Sequence, residues 1–137
     1  MKNLKYWAVL MTIGLFFNAC LDDEPTTQVT YQYVPIDSIS IKEINPVKSV
    51  TEIKTYFTKS NDCELFFDYD YQISGNERTV SIITSLLRNE NCIDAPQAAV
   101  NTLQFVPTSS GTYTFRFWAG IDENQQAQFI IKEIEIP

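Results

Sequence analysis

Apolar and polar residues alternate along most of the chain beyond residue 30, and this period of two constrains the fold more than any other feature. Ile53 and Phe57 fall on one side of the alternation, while Lys54 and Thr58 fall on the other. Such a period is typical of a strand with one buried face, and no helical period is sustained over the same residues. The sequence therefore predicts an all-β fold of about seven strands.

Turn residues separate the predicted strands. Pro35 confines the first extended stretch to a sheet edge or a bulge, and Gly75 and Asn76 are typical of a tight turn between two longer strands. Residues 81–87 also fit helical spacing, but their β-branched side chains favour a strand. Seven short antiparallel strands in a chain of this length indicate a β-sandwich, and a partly open barrel is the alternative.

Asp68 and Asp70 are the first candidates for chemistry. Strand residues two apart share a face, with Cβ atoms about 7 Å apart, so we expect both carboxylates beside Phe66, with Leu65 and Phe67 on the opposite face. Carboxylates at that separation can hydrolyse glycosides or, with a third oxygen ligand, bind Ca²⁺. A solvated strand face is the simpler interpretation. We therefore treat Asp68 and Asp70 as candidate contacts to a ligand or Ca²⁺ and not as predicted catalytic residues.

Aromatic side chains supply a second set of candidates. Tyr56, Phe66 and Trp118 occupy positions that are predicted to point outward, where rings beside carboxylates can stack on sugars. Trp118 is therefore a third candidate ligand contact, although core packing is the simpler interpretation for most of these rings. Residues 122–124 are acidic or amide-bearing but lack the ligand spacing and the glycine of an EF-hand. We predict a solvated hairpin tip there, and no bound metal or other cofactor.

The absence of histidine excludes several classes of enzyme. A chain without histidine cannot build a Ser-His-Asp or Cys-His centre, nor a zinc site with imidazole ligands. The chain carries 17 acidic and 10 basic residues, a net charge of −7, which repels the phosphates of nucleic acids. We therefore expect no nucleic-acid partner, and a protein that binds rather than catalyses.

The first twenty residues have the layout of an export signal. Lys2 and Lys5 precede an apolar run over residues 7–17, and Asn18-Ala19 leads to Cys20. The run is shorter than the roughly 20 residues that span a membrane, and a basic start with a small-residue exit is typical of a cleaved secretory signal. The small residue before Cys20 resembles the end of a bacterial lipoprotein signal, although the usual leucine is absent, so a plain secretory signal is the alternative.

The lipoprotein resemblance implies cleavage after residue 19 and a lipid on the Cys20 sulfur. Two or more acyl chains hold a protein stably on a membrane, since each buried CH₂ contributes about 0.8 kcal/mol. Residues 1–19 are then the signal peptide, residues 20–30 a flexible acidic tether, and residues 31–137 the folded domain. The predicted membrane contact is this lipid anchor.

The first residues of the tether carry an acidic cluster. Asp22, Asp23 and Glu24 follow the predicted lipid site closely. The cluster resembles the surface-export signal of lipoproteins in Bacteroidota-type bacteria, and it implies an outer-membrane protein that is displayed at the cell surface. A solvated spacer on the inner side of that membrane is the alternative.

Three cysteines in an exported chain leave one to be explained. If Cys20 carries the lipid, Cys63 and Cys92 remain as a pair. They lie near the outer ends of the predicted hairpin around Gly75, with Cys92 a few residues beyond the register of Cys63. Because exported proteins fold in an oxidising compartment, we predict a disulfide rather than a redox or metal pair.

The run from Gly111 to Phe115 is the most specific fold signal. It resembles the Gly-x-Tyr-x-Cys/Phe run of immunoglobulin-like domains, whose tyrosine hydroxyl bonds to upstream backbone as a tyrosine corner. The resemblance implies that role for Tyr113, a core position for Phe115, and an immunoglobulin-like antiparallel β-sandwich. A disulfide within one hairpin is not the inter-sheet bridge of antibody domains.

Residues 46–71, 78–92 and 111–120 together resemble a group of small Bacteroidota lipoproteins with an immunoglobulin-like domain. The resemblance implies an outer-membrane location but supplies no activity and no catalytic residues. We therefore expect a lipid-anchored envelope module that binds another envelope protein or a glycan. A surface hydrolase that uses Asp68 and Asp70, and a purely structural lipoprotein, are the alternatives.

Overall fold

Eight β-strands and no helix make up residues 28–88 and 91–137, the part of the chain that the computed structural model describes. The all-β prediction is confirmed. The predicted signal peptide and residues 20–27 lie outside the described residues, and the first strand begins three residues before the predicted domain boundary at Tyr31. The strands are β1 (Gln28–Val34), β2 (Ile36–Ile41), β3 (Thr51–Lys59), β4 (Glu64–Ser74), β5 (Glu77–Arg88), β6 (Gln97–Phe105), β7 (Gly111–Ile121) and β8 (Ala127–Ile136).

The strands form two sheets that pack face to face as a β-sandwich. The smaller sheet has the order β2-β3-β6, and both of its pairings are antiparallel. In the larger sheet β4 pairs with one edge of β5, β1 and β7 pair with the other edge, and β8 extends the sheet from β7. Among the described residues, none forms a helix with the length and hydropathy that crossing a membrane requires.

β1 and β7 share one edge of β5. β1 pairs antiparallel with residues 82–88, and β7 pairs in parallel with residues 77–80. The parallel pair departs from the predicted antiparallel arrangement. It arises because β6 crosses to the smaller sheet between β5 and β7, which provides the long connection that parallel strands need.

Pro35 marks the point where the chain changes sheets. β1 belongs to the larger sheet and β2 to the smaller one, with Pro35 between them. Proline has no N–H to offer a ladder, so it ends a strand at an edge without breaking a pairing. Its ring packs beside Gly120, which has a φ of 106° and where a β-carbon would lie 3.4 Å from Pro35 Cγ. The predicted edge position of Pro35 agrees with this arrangement.

A β-bulge in β4 changes the predicted faces of this strand. The pairing with β5 passes from Phe66 to Asp68, so Phe67 is the extra residue. Because the bulge shifts the alternation by one, Phe66 and Tyr69 both pack against the core, with ring centroids 4.9 Å apart. The prediction that Phe66 points outward, opposite Leu65 and Phe67, is therefore wrong: the latter two are the exposed residues.

The core lies between the two sheets and is rich in aromatic rings. Phe105 of β6 meets Tyr113 and Phe115 of β7, with ring centroids 5.0 Å apart in each pair. Arg78 is buried beneath them, where its guanidinium carbon lies 5.0 Å from the Tyr113 ring and Nη1 donates to the Gly75 carbonyl at 2.6 Å. The other buried apolar residues are Val34, Ile36, Ile53, Phe57, Val80, Ile82, Leu103, Phe117, Ile134 and Ile136.

A disulfide joins Cys63, just before β4, to Cys92, beyond the end of β5. This prediction is confirmed. The bridge has a sequence separation of 29 residues, and it links the two strands of one hairpin rather than the two sheets. It lies at the end of the larger sheet where Gln28 of β1 pairs with Arg88.

Candidate functional site

The outer face of the larger sheet carries a cluster of aromatic rings. β1 contributes Tyr31 and Tyr33, β4 contributes Phe67, and β7 contributes Trp118; we call these four residues the aromatic face. Tyr31, Tyr33 and Phe67 are 58%, 55% and 54% exposed, and Trp118 is half-buried. Contiguous apolar surface of this kind marks interaction sites, whereas single exposed apolar residues are ordinary.

Ring contacts join the aromatic face across three strands. The centroids of Tyr31 and Phe67 are 4.6 Å apart, and those of Tyr33 and Trp118 are 6.1 Å apart. Ser85 of β5 lies opposite Tyr31, and its small side chain leaves room for rings from the neighbouring strands to meet above it. The ring planes are tilted by 58° and 69°. The aromatic face is therefore ridged rather than flat.

The two predicted carboxylates lie at the border of the aromatic face. The Tyr33 hydroxyl donates to Asp70 Oδ2 at 3.0 Å, and this hydrogen bond, together with the charge of Asp70, raises the pKa of Tyr33. Asp68 Oδ1 accepts the backbone N–H of Tyr69 at 2.8 Å. The predicted ligand contacts Asp68, Asp70 and Trp118 thus lie on one sheet face.

A charged groove lies on the smaller sheet, away from these carboxylates. It has a volume of about 320 Å³, and Lys42, Glu52 and Lys54 are among its lining residues. Neither Asp68 nor Asp70 lines it. A hydrolytic pair needs a cleft that holds one carboxyl away from water, whereas Asp68 is exposed and Asp70 is half-buried.

Arg116 lies two residues before Trp118 on β7, beside the aromatic face. Its guanidinium carbon is 4.5 Å from the centroid of the Phe129 ring, and Nη1 is 3.6 Å from Glu77 Oε1. Both members of this ion pair are partly exposed, so the pair adds little to stability. It does give the aromatic face a charged border on the side away from β4.

Glu64 is a buried carboxylate that the sequence pattern does not single out. Oε1 accepts hydrogen bonds from Thr84 Oγ1 at 2.6 Å and Gln32 Nε2 at 2.9 Å, and Oε2 accepts the Ser60 N–H and hydroxyl at 2.6 and 2.7 Å. Burial alone would raise the pKa of Glu64, but these four hydrogen bonds bring it below its usual value. Glu64 therefore ties β1, β4, β5 and the β3–β4 connection together.

Tyr113 occupies a corner at the start of β7. Its hydroxyl donates to the Ser109 carbonyl at 3.2 Å and accepts the Ser109 N–H at 3.3 Å, while the ring is fully buried. Hydrogen bonds from the Ser109 hydroxyl and N–H lower the pKa of Tyr113. The contact fixes the chain as it enters β7, which is a structural role.

Two groups of possible metal ligands are already used by contacts within the chain. The ligand atoms of Asp62, Cys63 and Cys92 lie within 4.8 Å of one another, but both sulfurs form the disulfide. Asp122 Oδ1 accepts two backbone N–H groups of its own turn, and Oδ2 accepts Gln128 Nε2 at 2.9 Å. Asp122 thus closes the β7–β8 turn, and residues 123–126 beyond it are exposed.

The predicted sites and the observed aromatic face do not coincide fully. Cys20 and the acidic residues 22–24 lie outside the described residues. Tyr31 and Tyr33 were not predicted as site residues. Their spacing could have indicated them, because strand residues two apart share a face. No signal in the sequence indicates that Phe67 is exposed, because only the bulge turns its side chain outward.

Comparison with known proteins identifies no relative. No protein-family model, curated protein or solved structure matches this chain. Function must therefore be inferred from the chain's own residues.

Proposed function

We propose that the protein is a lipid-anchored module of the bacterial outer membrane that binds another envelope protein through its aromatic face. The signal pattern that ends at Cys20 supports the anchor, and the acidic residues 22–24 support display at the cell surface. The observation that carries the binding role is the pair of ring contacts, Tyr31 with Phe67 and Tyr33 with Trp118, on one sheet face where three of the four rings are exposed. The module acts by binding and catalyses no reaction.

The shape of the aromatic face favours a protein over a glycan. Protein interfaces are enriched in Tyr, Trp and Phe, and a few such side chains supply most of the binding free energy. Tilted rings form ridges that fit between the side chains of a partner, whereas a sugar ring stacks best on a flat surface. Asp68 and Asp70 add hydrogen-bond acceptors at the border.

We assign the sandwich to the immunoglobulin-like type. The Gly111-x-Tyr113 run, with the Tyr113 hydroxyl bound to Ser109, supports this assignment. Two features set the domain apart from antibody domains: the parallel pairing of β5 with β7, and a disulfide within one hairpin.

Replacing Cys20 by alanine is expected to release the protein from the membrane. Alanine offers no sulfur for a thioether-linked lipid, so the acyl chains that hold the protein are lost. In a Bacteroidota host fed labelled palmitate, the natural chain should carry the label and enter the detergent phase, and Cys20→Ala should do neither. The matched control, Cys63→Ser/Cys92→Ser, should keep its label; label on Cys20→Ala would contradict the proposal.

Replacing Tyr31 and Phe67 by serine is expected to abolish capture of the partner. The two rings make the contact that closes the aromatic face across β5, and loss of two interface rings at about 2 kcal/mol each weakens binding by roughly a thousandfold. The full chain, immobilised in detergent, is incubated with a solubilised envelope extract, and captured proteins are quantified by mass spectrometry.

Tyr56→Ser is the matched control for this experiment. Tyr56 is 37% exposed on the smaller sheet, so the variant removes a comparable ring from the other side of the sandwich and should capture the partner normally. Equal capture by the natural chain and the Tyr31→Ser/Phe67→Ser variant would overturn the proposal. Binding to a glycan array that depends on the same two rings would instead assign the face to a sugar.

A further inference from the structure

β1 is lightly embedded in the sandwich. Its first six residues are exposed, and only Val34 is buried. A strand held chiefly by backbone pairing at a sheet edge opens at a lower free energy than a strand buried in the core. β1 can therefore leave the larger sheet with the loss of one core side chain, Val34.

The position that β1 occupies is nevertheless specific for its sequence. Its seven residues pair in register with residues 82–88 of β5. Gln32 Nε2 donates to the buried carboxylate of Glu64 at 2.9 Å, and the Tyr33 hydroxyl donates to Asp70 at 3.0 Å. The two β1 tyrosine rings complete the aromatic face. These side-chain contacts select the β1 segment over an arbitrary extended peptide.

The connection between β1 and β2 is a short hinge. β1 ends at Val34 and β2 begins at Ile36, so Pro35 alone separates strands that belong to different sheets. Because β2 is held in the smaller sheet and the Pro35 ring fixes its own φ, a change in ψ at Val34 or Pro35 carries β1 away from β5 as one unit. Hinge segments between two elements are the places where identical elements are exchanged between chains.

We infer that β1 is exchanged between two copies of this chain, each β1 pairing with residues 82–88 of the other copy. A second copy is the occupant that the site selects, because it brings the same glutamine and tyrosine to Glu64 and Asp70. Exchange costs little at equilibrium, since both chains recover the contacts that each loses on opening. Confinement to one membrane surface would raise the effective concentration that drives it.

Exchange makes the aromatic face a composite of two chains. Tyr31 and Tyr33 then come from one copy, and Phe67 and Trp118 come from the other. The dimer carries two such faces, related by its twofold axis. The inference goes beyond the binding role and does not depend on it.

Cysteine pairs placed in separate chains test the exchange. Thr30 of β1 lies opposite Leu86 of β5. A full chain with Thr30→Cys and a full chain with Leu86→Cys are co-expressed and oxidised, and the products are separated without reductant. Exchange predicts a shift from one chain to a covalent pair of chains, because the two new thiols meet only when β1 of one copy pairs with β5 of the other.

Two controls make the outcome decisive. Thr79 lies on β5 opposite β7 rather than β1, so Thr30→Cys with Thr79→Cys should give no covalent pair. Thr30→Cys and Leu86→Cys in one chain should close within that chain when it is dilute, which shows that the thiols are in register. Absence of the covalent pair from the mixed chains, or equal amounts from the Thr79 control, overturns the exchange.

Discussion

Replacing both Cys63 and Cys92 by serine is expected to lower the free energy of unfolding by about 3.5 kcal/mol. The bridge closes a loop with a sequence separation of 29 residues, and its removal gives the unfolded chain back the conformational entropy of that loop. The β4–β5 hairpin carries pairings to β1 and β7, so the loss should appear as a lower midpoint of urea unfolding for the whole domain.

The double serine variant is preferable to a single variant, because replacing only one of the two cysteines leaves the other as a free thiol. The natural chain treated with reductant should unfold at nearly the same urea concentration as the double variant, which separates the covalent link from the effect of the serine hydroxyls. Oxidised natural chain and double variant with equal midpoints would show that the native hairpin does not depend on the bridge.

Glu64→Ala is expected to destabilise the domain by about 3 kcal/mol at neutral pH, since hydrogen bonds to a charged group are worth about 1.5–3 kcal/mol each and the Thr84 hydroxyl stays buried. The substitution leaves Thr84, Gln32 and Ser60 without the acceptor that they share. Asp68→Ala, which removes an exposed carboxylate from the same strand, is the matched control and should change the urea midpoint little.

The effect of Glu64 should also depend on pH. Its pKa is lowered in the folded state, so its contribution is fully present above the unfolded value of about 4.3 and is lost as the pH falls through the lower folded value. The difference in unfolding free energy between the natural chain and Glu64→Gln should therefore be constant near neutrality and shrink below about pH 4. A difference that does not vary with pH would mean that the pKa of Glu64 is the same in the folded and unfolded states.

The strands could be predicted from the sequence because side-chain alternation is a local property. In β3, Ile53 and Phe57 are buried as their period indicates. The turn at Gly75 and Asn76 could be predicted because glycine and asparagine tolerate a positive φ, and Gly75 has a φ of 57°. Local chemistry also marks Pro35 as an edge residue. These features need no knowledge of the neighbouring strands.

The faces of β4 and the environment of Glu64 could not be predicted in this way. The bulge at Phe67 is defined by the pairing of β4 with β5, so the sequence of β4 alone does not predict it. In the sequence, Glu64 cannot be distinguished from an exposed acidic residue, because its hydrogen-bond partners Gln32 and Thr84 belong to other strands. Trp118 was predicted to point outward, but its grouping with Tyr31, Tyr33 and Phe67 escaped prediction, because these rings come from three strands that are distant in sequence.

The end of the larger sheet at which β1 begins determines how the domain bears force. Gln28 lies at one end of that sheet, and the last residues of β8 lie at the other, opposite Gly111. A force applied at Gln28 acts along the axis of β1. It therefore shears the backbone hydrogen bonds between β1 and β5 simultaneously rather than one after another. Tension between residues that precede Gln28 and a ligand on the aromatic face would thus act first on the pairing of β1 with β5.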